Sequence, residues 1–140
     1  WAKEQIDAGR RVAGREDRHR VTVFALYSVD KDPDVARAAV RGPLGFYKAT
    51  GTNALTDVYG NSKQVEALLA EHGADSLADH MPDQWIEDLT IAGTPEECAD
   101  KIRGFGAAGA DVVALFPLPT ERVDDLVELT AREVLPRLGP

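Results

Sequence analysis

The side chains that could act as nucleophiles, metal ligands or acid–base groups are few and scattered in this sequence. The histidines are His19, His72 and His80, and none of them has a partner at the spacing of a metal site. The single cysteine, Cys98, cannot form an internal disulfide or a zinc cage, and no activating residue adjoins it. We therefore predict no metal site, assign no catalytic residue, and expect Cys98 to be an inert core thiol.

Arg122 is the cation whose position is most suggestive of binding. It follows a Pro-Leu-Pro-Thr turn after the apolar run at 112–116, which is typical of a strand covered on both faces. Ligands of parallel α/β folds bind beyond the carboxyl ends of strands, where an arginine can clamp a phosphate or carboxylate. The alternative is a solvated residue in the first turn of a helix. Phe116 and Leu118, at the same strand end, either line an apolar pocket or cap the core.

The strongest local motif is the run TPEE at 94–97. Thr94 is a typical N-cap, Pro95 suits the first helical position, and Glu97 completes a capping box. Free amides at a helix N-terminus can also bind an anion, but two adjacent glutamates oppose that interpretation. The motif predicts a helix that ends at Gly109.

A G-x-G-x-x-G pattern occupies residues 104–109. A dinucleotide site requires those glycines after a strand and at the start of a helix. Here they end a helix and precede a strand, so we predict no Rossmann site.

The remaining periodicity predicts helices around two apolar strands. Residues 20–29 form the other run that is typical of a strand buried on both faces. Three of the expected helices span residues 2–13, 62–72 and 82–89. A further helix begins at Pro33, is capped by Asp32 and is broken at Gly42-Pro43. The last helix is capped by Thr120, and its apolar stripe contains Val123, Leu126, Val127, Val134, Leu135 and Leu138.

Composition excludes several classes of partner. Lys and Arg number 16 against 24 Asp and Glu in 140 residues, a net charge of −8. Such a chain lacks the basic surface that nucleic acids or anionic membranes require. No run approaches the ~20 apolar residues of a membrane span. We expect a cytoplasmic protein with a small-molecule partner, no nucleic acid and no membrane.

Two strands do not make a sheet that covers both of its own faces, since sheets usually hold ~5–6 strands. The first residue, Trp1, is also not an initiator methionine. We therefore expect additional strands, either before Trp1 or from another chain, and a homo-oligomer.

Several segments together resemble the luciferase-like monooxygenase family. They are the AGRR run at 8–11, the strand at 20–29 followed by Ala36-Arg37, the IAGTPEE run at 91–97, and the GADVV run at 109–113. Within that family the sequence is most similar to the deazaflavin-dependent branch.

The resemblance implies an α/β fold: the C-terminal portion of a (β/α)8 TIM barrel, with parallel strands and a helical insertion over 33–92. Residues 1–140 would be a single segment that lacks the N-terminal strands, with Trp1 near the end of the sixth strand. A complete barrel needs ~250 residues.

The same resemblance implies a flavin- or deazaflavin-dependent oxidoreductase that acts by hydride transfer or as a monooxygenase, with FMN or a deazaflavin coenzyme as cofactor. Thr94 would contact the cofactor, and Arg122 and Phe116 the substrate. The 140 residues alone would be inactive, because the family's other cofactor contacts lie on earlier strands. The alternatives are a non-catalytic interaction domain or half-barrel that self-associates, and a phosphate-binding barrel enzyme without flavin.

Overall fold

The computed structural model describes residues 2–51, 57 and 59–139. Its elements in chain order are helix α1 (Ala2–Val12), strand β1 (Thr22–Val29), α2 (Pro33–Thr50), α3 (Ser62–His72), α4 (Leu77–His80), α5 (Asp83–Leu89), β2 (Ile91–Gly93), α6 (Pro95–Ala107), β3 (Val112–Pro117) and α7 (Val123–Leu129). Within the described residues, no helix is long and apolar enough to cross a membrane. The predicted location of Trp1 falls outside them.

The strands form one parallel sheet in the order β2-β1-β3. β1 pairs with β3 from Thr22 opposite Val112 to Tyr27 opposite Pro117. On its other side, β1 pairs with β2. This pairing is confined to the carboxyl end of β1, where Tyr27 lies opposite Ile91. The parallel α/β arrangement is as predicted. The expectation of helix up to residue 92 is wrong, since three residues are enough to extend the sheet beside β1.

The two faces of the sheet pack against different helices. On one face, Tyr27 and Val29 form a core with Cys98 of α6 and Leu126 of α7. On the other, the described helices of the insertion cover the carboxyl end, where Ala92, Leu118 and the partly buried Leu26 join the core of these helices. That second core also contains Val40, Leu44, Val65, Met81, Trp85 and Ile86. The insertion therefore rests directly above the carboxyl edge of the strands.

Helix α2 continues through the Gly42-Pro43 pair, where we predicted a break. Proline in a helix interior removes one hydrogen bond and costs ~3 kcal/mol. Burial of Val40 and Leu44 on either side of that pair outweighs this cost. Gly45 is required by packing, because a Cβ at this position would lie 2.7 Å from the Cβ of Ala78.

The last helical segment is less regular than predicted. Thr120 is not an N-cap: it begins a 3-10 turn, Thr120–Arg122, that has no side-chain cap. After α7 the chain forms a π turn, Thr130–Val134, and a second 3-10 turn, Leu135–Leu138. Pro136 lies in this second 3-10 turn and has no amide hydrogen to donate to the carbonyl of Arg132, so a regular α-helix could not continue through it. Val127 and Leu135, which we expected in the buried stripe, are exposed.

Cys98 lies in the core, as predicted, with no exposed surface. Burial raises the pKa of its thiol to about 12. We expect less than a tenth of the thiol to react with a chromogenic disulfide reagent within an hour at pH 8, and one full equivalent to react after unfolding in urea. An immediate full equivalent without denaturant would show that α6 opens away from the sheet.

Candidate functional site

Three chain segments meet at the carboxyl edge of the sheet. Asp30 follows β1, Thr94 follows β2, and Arg122 lies one turn beyond the end of β3. The amide of Asp30 donates to the carbonyl of Gly93 at 3.2 Å, and the amide of Leu118 donates to the carbonyl of Tyr27 at 2.8 Å. The backbone therefore fixes these three strand ends relative to one another.

Arg122 reaches back across this edge to Asp30. Its Nη1 and Nη2 both lie 3.3 Å from Asp30 Oδ2, although 92 residues separate the two in sequence. The other oxygen of Asp30 accepts from the amide of Asp32 at 3.2 Å. That backbone bond, and then Arg122, lower the pKa of Asp30, while burial opposes them.

The pairing leaves the guanidinium of Arg122 able to act on a ligand. Its side chain is 43% exposed, and its Nε lies 3.8 Å from Asp125. An anion that approaches the edge would compete with Asp30 for bidentate hydrogen bonds. The predicted location of Arg122 at a strand end is correct, but no sequence pattern linked it to Asp30.

Phe116 lies on the face of the sheet opposite to the core that Tyr27 forms with α6 and α7. It is in register with Leu26, and by alternation it shares a face with Phe24. The exposed fractions of Phe116 and Phe24 are 55% and 82%. Leu118, in contrast, is buried in the core. Of the two alternatives for this strand end, Leu118 caps the core, whereas Phe116 presents its ring outward.

Thr94 caps helix α6 through both halves of the predicted capping box. Its Oγ1 accepts from the amide of Glu97 at 3.3 Å, and its own amide donates to Glu97 Oε2 at 2.7 Å. The preceding residue, Gly93, has a φ of +147°. The hydroxyl proton is what Thr94 can offer a ligand, since its amide is held by Glu97.

Two groupings join residues of different helices, and no sequence pattern links their members. Arg37 and Glu87 line a cleft of about 370 Å³ between α2 and α5. The rings of His72 and His80 stack with centroids 3.6 Å apart. The part of the chain that the structure describes contains no group of three or more His, Cys, Asp or Glu residues that could hold a metal ion.

A buried lysine lies within the helical insertion. Lys48 donates to Asn61 Oδ1 at 3.1 Å, and its Nζ lies 4.9 Å from the ring centroid of Trp85. Burial lowers the pKa of this amine. The carboxamide oxygen of Asn61 and the aromatic face of Trp85 both favour the charged form of the amine.

The fold defines a class: parallel α/β proteins, in which ligands generally bind where the strands end. The chain matches the model of the luciferase-like monooxygenase family over residues 1–112. It is similar to 5,10-methylenetetrahydromethanopterin reductase of Archaeoglobus fulgidus, at 31% identity over 98% of this chain and 44% of that protein. The corresponding enzyme of Methanopyrus kandleri is 26% identical over 96% of this chain and 40% of that protein.

The chain is also similar to a solved structure of such a reductase. That structure is the coenzyme F420 dependent tetrahydromethanopterin reductase from Methanopyrus kandleri, which aligns with a TM-score of 0.74 and 25% identity over 93% of this chain and 39% of that one. The chain belongs to the luciferase-like monooxygenase family. The predicted fold class, a portion of a (β/α)8 barrel with parallel strands and a helical insertion, is confirmed. The chain spans less than half the length of these relatives.

Proposed function

We propose that this chain is part of a deazaflavin-dependent oxidoreductase that transfers hydride between coenzyme F420 and a small one-carbon carrier of the methylenetetrahydropterin type. The similarity over 98% of the chain to a methylenetetrahydromethanopterin reductase is the observation that carries this proposal. The remaining barrel strands, which we expect before Trp1, would complete the cofactor site. The complete enzyme would work in the cytoplasm.

The residues at the carboxyl edge fit such a cofactor and substrate. A deazaflavin combines a flat, largely apolar ring with an anionic side chain, and it supplies the hydride chemistry when bound. The edge offers a flat apolar ring in Phe116, a cation in Arg122 and a hydroxyl donor in Thr94. These groups match the apolar and anionic parts of such ligands.

Each of these side chains has a distinct role in the proposal. Thr94 donates a hydrogen bond from its hydroxyl to the cofactor. Phe116 provides an apolar wall that excludes water from the substrate. Arg122 orients an anionic or carbonyl group of the substrate, and Asp30 keeps the guanidinium in place before the substrate arrives.

FMN as the cofactor and monooxygenase chemistry as the reaction are the alternatives within the family. Fluorescence titration of the complete gene product with F420 and with FMN separates the two cofactors. Reduced F420 should then be consumed when methylenetetrahydromethanopterin is added without oxygen. Tight binding of FMN alone, or oxygen consumption coupled to turnover, would contradict the proposal.

Replacing Arg122 by glutamine in the complete gene product should raise the KM for the substrate by roughly 10–100-fold, with a smaller change in kcat. A hydrogen bond to a charged group contributes about 1.5–3 kcal/mol, and each 1.4 kcal/mol is tenfold in affinity. Steady-state kinetics at saturating F420 measure this split.

Arg132 provides the matched control, since it is an exposed arginine that pairs with Glu128 and Glu133 on the last helical segment. Its glutamine variant should keep the wild-type KM. An unchanged KM in Arg122→Gln would show that this arginine only pairs with Asp30.

The exposed rings of Phe24 and Phe116 favour a second candidate function, a half-barrel that self-associates. β3 is apolar from end to end, and β1 is its partner on one side only among the described residues. Exposed apolar edges and faces of this kind promote association. Light scattering on the 140-residue chain tests this candidate: a dimer supports it, and a stable monomer rejects it.

A further inference from the structure

A chain of ion pairs connects three helices above the carboxyl edge. Arg37 of α2 donates from Nε to Glu87 Oε1 of α5 at 2.5 Å and from Nη2 to Glu97 Oε1 of α6 at 2.9 Å. Lys101, one turn further along α6, donates to Glu87 Oε2 at 3.0 Å and to the carbonyl of Thr90 at 3.3 Å. The arginine is the one member that joins the two carboxylates.

The Glu97 carboxylate divides its two oxygens between Arg37 and the turn that precedes α6. One oxygen accepts from Arg37, and the other accepts from the amide of Thr94 at 2.7 Å. The carboxylate also lies over Gly93, where an added Cβ would overlap Glu97 Oε2. Arg37 therefore sets the position of the group that holds the Gly93–Thr94 turn.

Electrostatics favour the same arrangement. The pKa of Glu97 is lowered first by the amide of Thr94 and further by Arg37, while burial opposes both. The side chains of Arg37, Glu87 and Glu97 are 29%, 37% and 41% exposed. Ion pairs this exposed contribute little to stability, with a median of about 0–1 kcal/mol. The network is thus better suited to fix geometry than to hold the fold together.

We propose that Arg37 is a positioning residue for the cofactor site. By holding Glu97, it fixes the Gly93–Thr94 turn in the conformation that presents the Thr94 hydroxyl to the cofactor. It also ties this turn to α2 and α5, so that the helical insertion and the strand edge keep one relative arrangement. This inference rests on the proposed function, because it assumes that Thr94 contacts F420.

The test compares Arg37→Gln, Arg37→Lys and Arg41→Gln in the complete gene product. Arg41 is a matched control: it lies one turn further along α2, is 27% exposed, and bonds to the carbonyls of Ala78 and Met81 and to Asp83, without contacting Glu97. Both glutamine variants lose a link between α2 and the following helices. Only the Arg37 variant releases the carboxylate that holds Thr94.

Three measurements are made on each variant: the Kd for F420 by fluorescence, kcat at saturating F420, and hydrogen exchange of the amides in the turn. In Arg37→Gln we expect the Kd to rise about tenfold, kcat at saturating F420 to stay within twofold, and the Thr94 amide to exchange at least tenfold faster. Arg37→Lys should restore most of the affinity, and Arg41→Gln should match wild type in all three measurements.

Equal F420 affinity in Arg37→Gln and wild type overturns the inference, as does an equal loss in Arg41→Gln. If the wild-type protein does not bind F420, the proposed function fails. Exchange at Thr94 then decides the inference: faster exchange in Arg37→Gln alone supports the positioning of the turn, and unchanged exchange rejects it.

Discussion

Replacing Gly93 by alanine is expected to lower the free energy of unfolding by about 3 kcal/mol. The φ of +147° belongs to a region that is essentially restricted to glycine, and a strained residue costs of order 1–3 kcal/mol. The new Cβ would also displace the Glu97 carboxylate, whose Cδ would lie 3.1 Å away. The displaced carboxylate would lose its bond to the Thr94 amide, and a capping interaction contributes about 1 kcal/mol.

Urea unfolding of the complete gene product measures this loss, with Gly104→Ala as control. Gly104 lies within α6, and a Cβ there would have no atom within 4 Å. Because glycine in a helix interior is less favourable than alanine, Gly104→Ala should raise stability by about 0.5–1 kcal/mol. Equal midpoints for Gly93→Ala and wild type would mean that the turn adopts another conformation.

The start of α6 shows how much local sequence can determine. A threonine, a proline and a glutamate at the right spacing predicted the N-cap, the first helical residue and the capping box, and all three are found. The same holds for Asp32, the N-cap of α2. Its side chain accepts from the amide of Asp34, and Pro33 is the first helical residue. Such motifs are predictable because every atom involved lies within a few residues along the chain.

Features that depend on distant contacts were not predictable in this way. β2 has only three residues, and it is a strand because β1 lies beside it. α2 passes through Gly42-Pro43 because its apolar residues pack against α5 and β2. At the site, Arg122 could be located near a strand end, but Asp30 and the link from Arg37 to Glu97 became visible only in three dimensions. Single-sequence periodicity contains no information on which charged residues meet.

The exposed apolar surfaces connect the fold with the proposed function. Phe24 and Phe116 are exposed on one face of the sheet, while Val127 and Leu135 are exposed at the other, beside a cleft of about 180 Å³ lined also by Tyr27 and Leu115. Apolar side chains on both sides of a parallel sheet are typical of strands that are covered twice. Such surfaces are expected where a chain spans less than half the length of the proteins it matches.

Replacing Leu126 by alanine should lower the free energy of unfolding by about 3 kcal/mol. The side chain is 1% exposed and packs in the core that joins α7 to the sheet. Removing buried methyl groups costs the lost transfer energy and the energy of the cavity, in the range of 2–5 kcal/mol for leucine. Urea unfolding measures the loss, with the reactivity of the Cys98 thiol in the same core as the signal of unfolding.

Val127 supplies the comparison, because it is the next residue of α7 and is 57% exposed. Its alanine variant should change the stability of the 140-residue chain by less than about 0.5 kcal/mol, as is usual for surface substitutions. In the complete gene product, the same variant reports whether another part of the barrel covers the cleft. A loss near 2 kcal/mol there would show that it does, whereas an unchanged midpoint would mean that this face remains in solvent.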